Sequence, residues 1–235
     1  MKKMLYVLLL CPVMPLFSQG VVDVDKGNST TIRNGLFYLR GGSPVPSTKY
    51  VRVVSGSPYF SDSLMKGSLV LVSGTRIDSI LIRFDLLDNS IQYISGDGTE
   101  LIASIPFRSL MLRDTVSGKQ YDFVYSAYMP VKPEKQGWYQ ALTYGNATLY
   151  KRIAKRVSES KAYMSSLTEQ SIYTTEEYYL FFHMTFTRIK KPEELPELLG
   201  KRKELFSLIN TKKLTGKSEQ DFIDVVNEYN KLIEQ

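Results

Sequence analysis

Cys11 and His183 are the sole cysteine and the sole histidine in this chain of 235 residues, and that scarcity limits what can hold it together. Cys11 lies inside an apolar N-terminal run, so everything after it is free of thiols. No disulfide can staple such a chain, and zinc sites built on Cys and His, or any site needing two histidines, are excluded. The fold must therefore rest on an apolar core. About 215 residues beyond the N-terminal run are ample to build one.

The N-terminal run reads as an export signal. Lys2 and Lys3 precede apolar residues from Met4 to Leu10, which continue past Cys11, Pro12 and Pro15 to Phe17. Ser18 and Gly20, small and two apart, suit a signal peptidase site, so residues 1–20 are predicted to be a signal peptide cleaved after Gly20. The run is too short to cross a hydrocarbon layer of about 30 Å and two prolines break it. Leu10 stands where a lipid-bearing Cys11 would need a small residue before it, which argues against a lipoprotein. The mature protein is expected to be secreted or periplasmic. Loss of Lys2 and Lys3 lowers the formal charge of +6 to about +4, too little to suggest nucleic acid as a partner.

Residues 21–34 are polar and read as a flexible leader. From 35 to 157, short apolar segments recur between turn residues, the pattern of an antiparallel meander. Predicted strands cover Gly35–Arg40, Lys49–Val54, Gly67–Val72, Asp78–Leu86, Ile91–Ile94, Leu101–Ile105, Ser109–Arg113, Tyr121–Tyr128, Trp138–Thr143 and Thr148–Val157. Ser73, Gly74 and Thr75 predict a tight turn joining the third and fourth of these into a hairpin. Residues 158–235 form a C-terminal segment expected to pack on this body. Within it, 158–176 is rich in Ser, Thr and Glu and reads as a loop or short helix, whereas Tyr178–Arg188 reads as one strand.

Pro192 opens a helix predicted to run to about Asn210, with Leu195, Leu198, Leu199, Leu205, Phe206 and Ile209 as its apolar positions. Gly216 ends that region. Ser218, with Asp221 three residues on, caps a last helix whose stripe is Phe222, Val225, Val226, Tyr229, Leu232 and Ile233. The expected fold is therefore α+β and mainly β: an antiparallel meander, as a sandwich or open barrel, followed by two helices.

Catalytic signatures do not assemble. A serine triad would need His183, which has no G-x-S-x-G partner and falls within the predicted Tyr178–Arg188 strand, on its more polar face. Gly216, Lys217 and Ser218 end like a phosphate loop, but Thr211 occupies the place of its first glycine. Asp97 between two glycines lacks the other ligands of a calcium loop. Asp85, Asp88 and Asp122 leave a glycan-acting hydrolase open without nominating a pair. No catalytic residue, cofactor or metal site is predicted.

Trp138 and Tyr139, with Tyr144 nearby, are the candidate ligand contacts, able to stack on a sugar or peptide; large aromatics in a sheet are also ordinary core. Lys151, Arg152, Lys155 and Arg156 make one basic cluster. Lys190, Lys191, Lys201, Arg202, Lys203, Lys212, Lys213 and Lys217 load the C-terminal region, where they could meet an anionic surface or remain a solvated face.

The stretches LYKRIAKR at 149–156, YYLFF at 178–182, KKL at 212–214 and SEQDFIDVVNEYN at 218–230 resemble uncharacterised secreted proteins of the Gram-negative bacterial envelope. The resemblance covers about a third of the chain and implies export and a β-rich body with a lysine-rich helical end, but no activity. The expected role is a non-catalytic binding or scaffolding module whose partner is an envelope protein, glycan or lipid. The alternatives are a periplasmic carrier of a lipid or lipoprotein, with a hollow lined by Phe84, Tyr93 and Phe123, and the hydrolase.

Overall fold

A computed structural model describes residues 42–46, 50, 52–161 and 168–234. The predicted signal peptide, the leader and the Gly35–Arg40 strand lie outside the described residues, as do Lys49 and Val51 of the Lys49–Val54 strand, of which Val53 and Val54 are in a strand. Twelve strands form one open, mostly antiparallel sheet, neither closed into a barrel nor doubled into a sandwich, and helices follow at the C-terminus. Among the described residues no helix is long and apolar enough to cross a membrane.

In chain order the strands are β1 (Ser43–Pro44), β2 (Val53–Ser55), β3 (Met65–Leu71), β4 (Arg76–Asp85), β5 (Ser90–Ile94), β6 (Glu100–Ile102), β7 (Phe107–Arg113), β8 (Gln120–Tyr125), β9 (Trp138–Ala141), β10 (Thr148–Lys161), β11 (Thr168–Phe182) and β12 (Thr185–Ile189). Their spatial order is β1-β6-β5-β4-β3-β7-β8-β9-β10-β11-β12, with β2 alongside β11 in parallel. The expected turn between β3 and β4 is present. Leu71 donates its N–H to Thr75 O, and Gly74 donates back to Leu71 O from a left-handed conformation that glycine adopts without cost.

Alternation along the strands sends Leu69, Ile77, Ile80, Ile82, Phe84, Ile91, Tyr93, Leu110, Leu112, Phe123 and Trp138 into one core. Phe84 on β4 meets Phe123 on β8 with ring centroids 5.2 Å apart and Trp138 on β9 at 5.6 Å. Four strand spacings separate β4 from β9 along the sheet, roughly 19 Å if it were flat. The sheet is therefore strongly curled, and these rings fill its concave side. The incoming segment adds to the same core: Phe60 donates its N–H to Phe84 O and sets its ring against Tyr121 and Phe123, while Pro58 O accepts from Leu86 and Leu87.

Three short helices, α1 (Leu195–Leu198), α2 (Arg202–Lys212) and α3 (Glu219–Glu234), build a second core against β10, β11 and β12. Tyr178 stacks on Phe222 at 4.5 Å, and Phe182 meets Tyr229 edge to face. Ser218 caps α3 as expected, accepting from the Asp221 N–H and donating to the Asp221 carboxylate at 2.6 Å. The single helix predicted over Pro192–Asn210 is instead interrupted. A 3-10 turn at Pro192–Glu194 leads into α1, and Gly200, at φ +70°, stops α1 before α2 begins. Leu198 consequently faces solvent while Leu195, Leu199, Leu205 and Ile209 are buried.

Two other expectations are corrected. Ser158–Lys161 and Thr168–Glu176 are strand rather than loop or helix, because β10 and β11 pair without a break from Thr148↔Phe181 to Lys161↔Thr168. Apart from Ile172, covered by the segment that carries β2, the far end of this hairpin is largely exposed on both faces, so no apolar alternation marks it in the sequence. Tyr178–Arg188 is not one strand, either. His183 and Met184, both at positive φ, make a two-residue turn between the paired Phe182 and Thr185, and His183 is exposed on that turn with its ring stacked on Phe182.

The last helix also carries a buried polar residue that its apolar stripe conceals. Ile233 is 41% exposed, and Asn230 takes the inward place. Asn230 Nδ2 donates to Ala147 O at 2.9 Å and Tyr144 O at 3.1 Å, and its Oδ1 accepts from Ala147 N–H at 2.9 Å. Gly145 lies against it: a Cβ there would come within 2.7 Å of Asn230 Cγ. Replacing Asn230 with alanine strands two buried backbone groups of Ala147, so the protein should lose about 2–3 kcal/mol in urea unfolding. Asn227→Ala, on the exposed side of the same helix, should stay within about 0.5 kcal/mol. Deleting residues 218–235 should destabilise the whole chain, read as a lowered melting temperature.

Candidate functional site

Where the curled sheet fails to close, a cleft of about 390 Å³ opens between the β4–β5 turn and the start of β9. One wall is aromatic. Tyr125 and Trp138 are directly paired across β8 and β9, with centroids 5.4 Å apart, and Tyr128 follows at 6.3 Å from Tyr125. Tyr128 is held there by a 3-10 turn at Ser126–Tyr128 that is clamped to Gly137. Ser126 N–H donates to Gly137 O at 2.9 Å, and Gly137 N–H donates to Ser126 Oγ at 3.1 Å.

The other wall is polar and owes its shape to a buried carboxylate. Asp85 is fully buried and accepts N–H groups from Leu87 and Asp88, each at 3.0 Å, which folds the turn back on itself. The Tyr50 hydroxyl donates to the same carboxylate at 2.5 Å; burial, reinforced by this bond, pushes its phenol well above the usual range. Asp88, Asn89 and Ser90 are thereby presented to the cleft, with Ile91, Ala103, Ile105 and Phe107 among its lining. Ring faces opposite a carboxylate, an amide and a hydroxyl can hold a ligand with one apolar face and several hydrogen-bonding groups.

The candidate contacts Trp138 and Tyr139 are separated by the strand that carries them. Trp138, only 6% exposed, packs on Phe84 and also lines the cleft. Tyr139 points to the opposite face, fully buried against Tyr179 and Phe186, with its hydroxyl donating to Lys135 O at 2.7 Å. Tyr144 lies on that face too, bonded to Asp122 at 3.0 Å in a second groove of about 370 Å³. Asp85 and Asp88 share one turn, the first supporting it and the second lining the cleft, whereas Asp122 lies apart and accepts from Gln120 in the other groove. Among the described residues no group of three or more Asp, Glu, His or Cys is arranged to hold a metal ion.

The basic cluster at 151–156 is divided by the same alternation. Lys151 turns toward the helices, where it is almost buried and pairs with Glu219 of α3 and, at 3.5 Å, with Glu176. Arg152 turns to the opposite face and joins a network that sequence reading misses because its members lie far apart in the chain. Glu177, its side chain 10% exposed, accepts from Lys135 at 2.6 Å and pairs with Arg188 at 3.0 Å and Arg152 at 3.4 Å; the Tyr179 hydroxyl adds a bond at 3.2 Å. Burial works against the charged form of Glu177. The Lys135 hydrogen bond and the charge of Arg188 outweigh it and hold the carboxyl below the usual carboxylate range.

A carboxyl lowered in the folded state stabilises the fold above its unfolded value and loses that contribution as pH falls through the folded one. Glu177→Gln should therefore cost about 1–2 kcal/mol at pH 7, the flanking cations being partly solvated. The difference should shrink below about pH 4, as urea midpoints of the two proteins at pH 7 and pH 3 will show. Compared with known proteins, the chain matches no family model, no curated protein sequence and no solved structure.

Proposed function

We propose that this chain is an exported envelope protein that works as a non-catalytic binding module, taking its ligand in the cleft beside Trp138. The observation that carries the reading is that Tyr125, Tyr128 and Trp138 line one open volume of about 390 Å³ together with Asp88, Asn89 and Ser90. Tyr128 is over a third exposed, so an aromatic face is available without unfolding anything. Export rests on the Lys2, Lys3 and Met4–Leu10 pattern and on the Ser18 and Gly20 cleavage signature.

The carrier reading is less well supported. Phe84, Tyr93 and Phe123, the residues that would line a hollow, are all buried in one packed cluster, with Phe84 and Phe123 in edge-to-face contact. The hydrolase reading wants two facing carboxylates, and Asp88 is the single acidic residue lining the cleft among the described residues.

On an array of immobilised oligosaccharides the purified protein should be retained by a subset, and Tyr128→Ala should weaken that retention about tenfold at unchanged melting temperature. Retention by none, or indifference to Tyr128→Ala, would remove the cleft from consideration. Mass spectrometry of the protein recovered from its native host should find it beginning at Val21; an intact Met1 or an acylated Cys11 would contradict export by a cleaved signal.

A further inference from the structure

Glu177 is one carboxylate shared among three cations, and one of them, Arg152, reaches the start of β9, where the cleft wall ends. Lys135, Arg152 and Arg188 each pair with it, so the group carries a net excess of two positive charges. Their side chains remain 40%, 22% and 49% exposed, open to a further acceptor. Gly137 marks where the two features meet. The point at which a side chain on Gly137 would begin lies 3.6 Å from Asn89 Oδ1, a group of the cleft wall, and 3.9 Å from Arg152 Nε. With no side chain there, the amide and the guanidinium flank one gap beside Trp138.

We propose that the cleft recognises an acidic saccharide, whose sugar ring packs on the aromatic wall and whose carboxylate or phosphate is received by Arg152 at the Gly137 gap. The proposal rests on the binding-module reading and specifies its ligand class. A guanidinium offers forked N–H donors matched to either anion, and Glu177 occupies only part of that donor set. Asp88 on the same wall repels an anion placed beside it, which fixes the orientation: hydroxyls toward Asp88, charge toward Arg152. Glu177 is a positioning residue that holds Arg152 in place and also competes with the ligand for it.

The test compares acidic probes with neutral counterparts of the same shape, by calorimetry at low ionic strength. Oligogalacturonate should bind about tenfold more tightly than its methyl ester, or mannose 6-phosphate about tenfold more tightly than mannose. The pair showing the difference identifies the anion. The advantage should fall with added salt. Arg152→Gln should abolish it while leaving the neutral probe unchanged.

Glu177→Gln gives a readout that misfolding cannot imitate. Removing the competing carboxylate should tighten the acidic probe several-fold and leave the neutral probe as it was. Neutral and acidic probes binding alike, with Tyr128→Ala still weakening both, would overturn the acidic ligand and keep the cleft. Binding of no probe, with Tyr128→Ala silent on the oligosaccharide array, would discard both.

Discussion

The edge-to-face contacts of Phe84 with Phe123 and Trp138 set the geometry on which the rest of the molecule depends. A long sheet with an apolar face must cover that face, and here the strands from β3 to β9 do so by bending until β4 and β9 share a core. The bend is not completed by hydrogen bonding between those strands. Segment 58–60 instead lies along the end of β4, leaving the cleft as the opening between turn and aromatic wall. Core and cleft are thus two products of a single curvature: Trp138 belongs to both, packed on Phe84 and touching the open volume.

Polar groups buried at the margins convert this curvature into defined positions. Asp85 shapes the β4–β5 turn, Asn230 fastens α3 to the loop before β10, and Glu177 gathers three cations on the outer face of β11. Each is satisfied by several partners, and each acts on a segment that apolar packing alone would leave free to slide. Lys151 does the same between sheet and helix through Glu219. The cleft wall, the helix and the cation cluster are all positioned by such groups.

What could be read from the sequence divides along these lines. Strands whose inner residues alternate, such as β4 and β7, and the β3–β4 turn with Gly74, were legible because burial and turn geometry write themselves locally. The stripe and Ser218 cap of α3 were equally plain. The far end of the β10–β11 hairpin was not, since its pairing is held by neighbours across the hairpin and not by a core. The His183 and Met184 turn lacks the Asn and Gly that usually announce one. Trp138 was singled out from its type and position, but its separation from Tyr139 follows from strand alternation, and Tyr128 and Asn89, which line the same cleft, come from other turns. Glu177 and Asn230 look like ordinary surface residues until contacts distant in sequence are known.

The reach of the Asn230 contacts sets an order of assembly. Asn230 and Ala147 are 83 residues apart, and the second core joins β10 to a helix that ends at Glu234. The first core, whose aromatic members lie between Phe60 and Trp138, needs nothing from the helices and can condense first. The second cannot close before Asn230 and the rest of α3 are in place. Until those helices dock, the residues of β10 and β11 that they cover stay open to water.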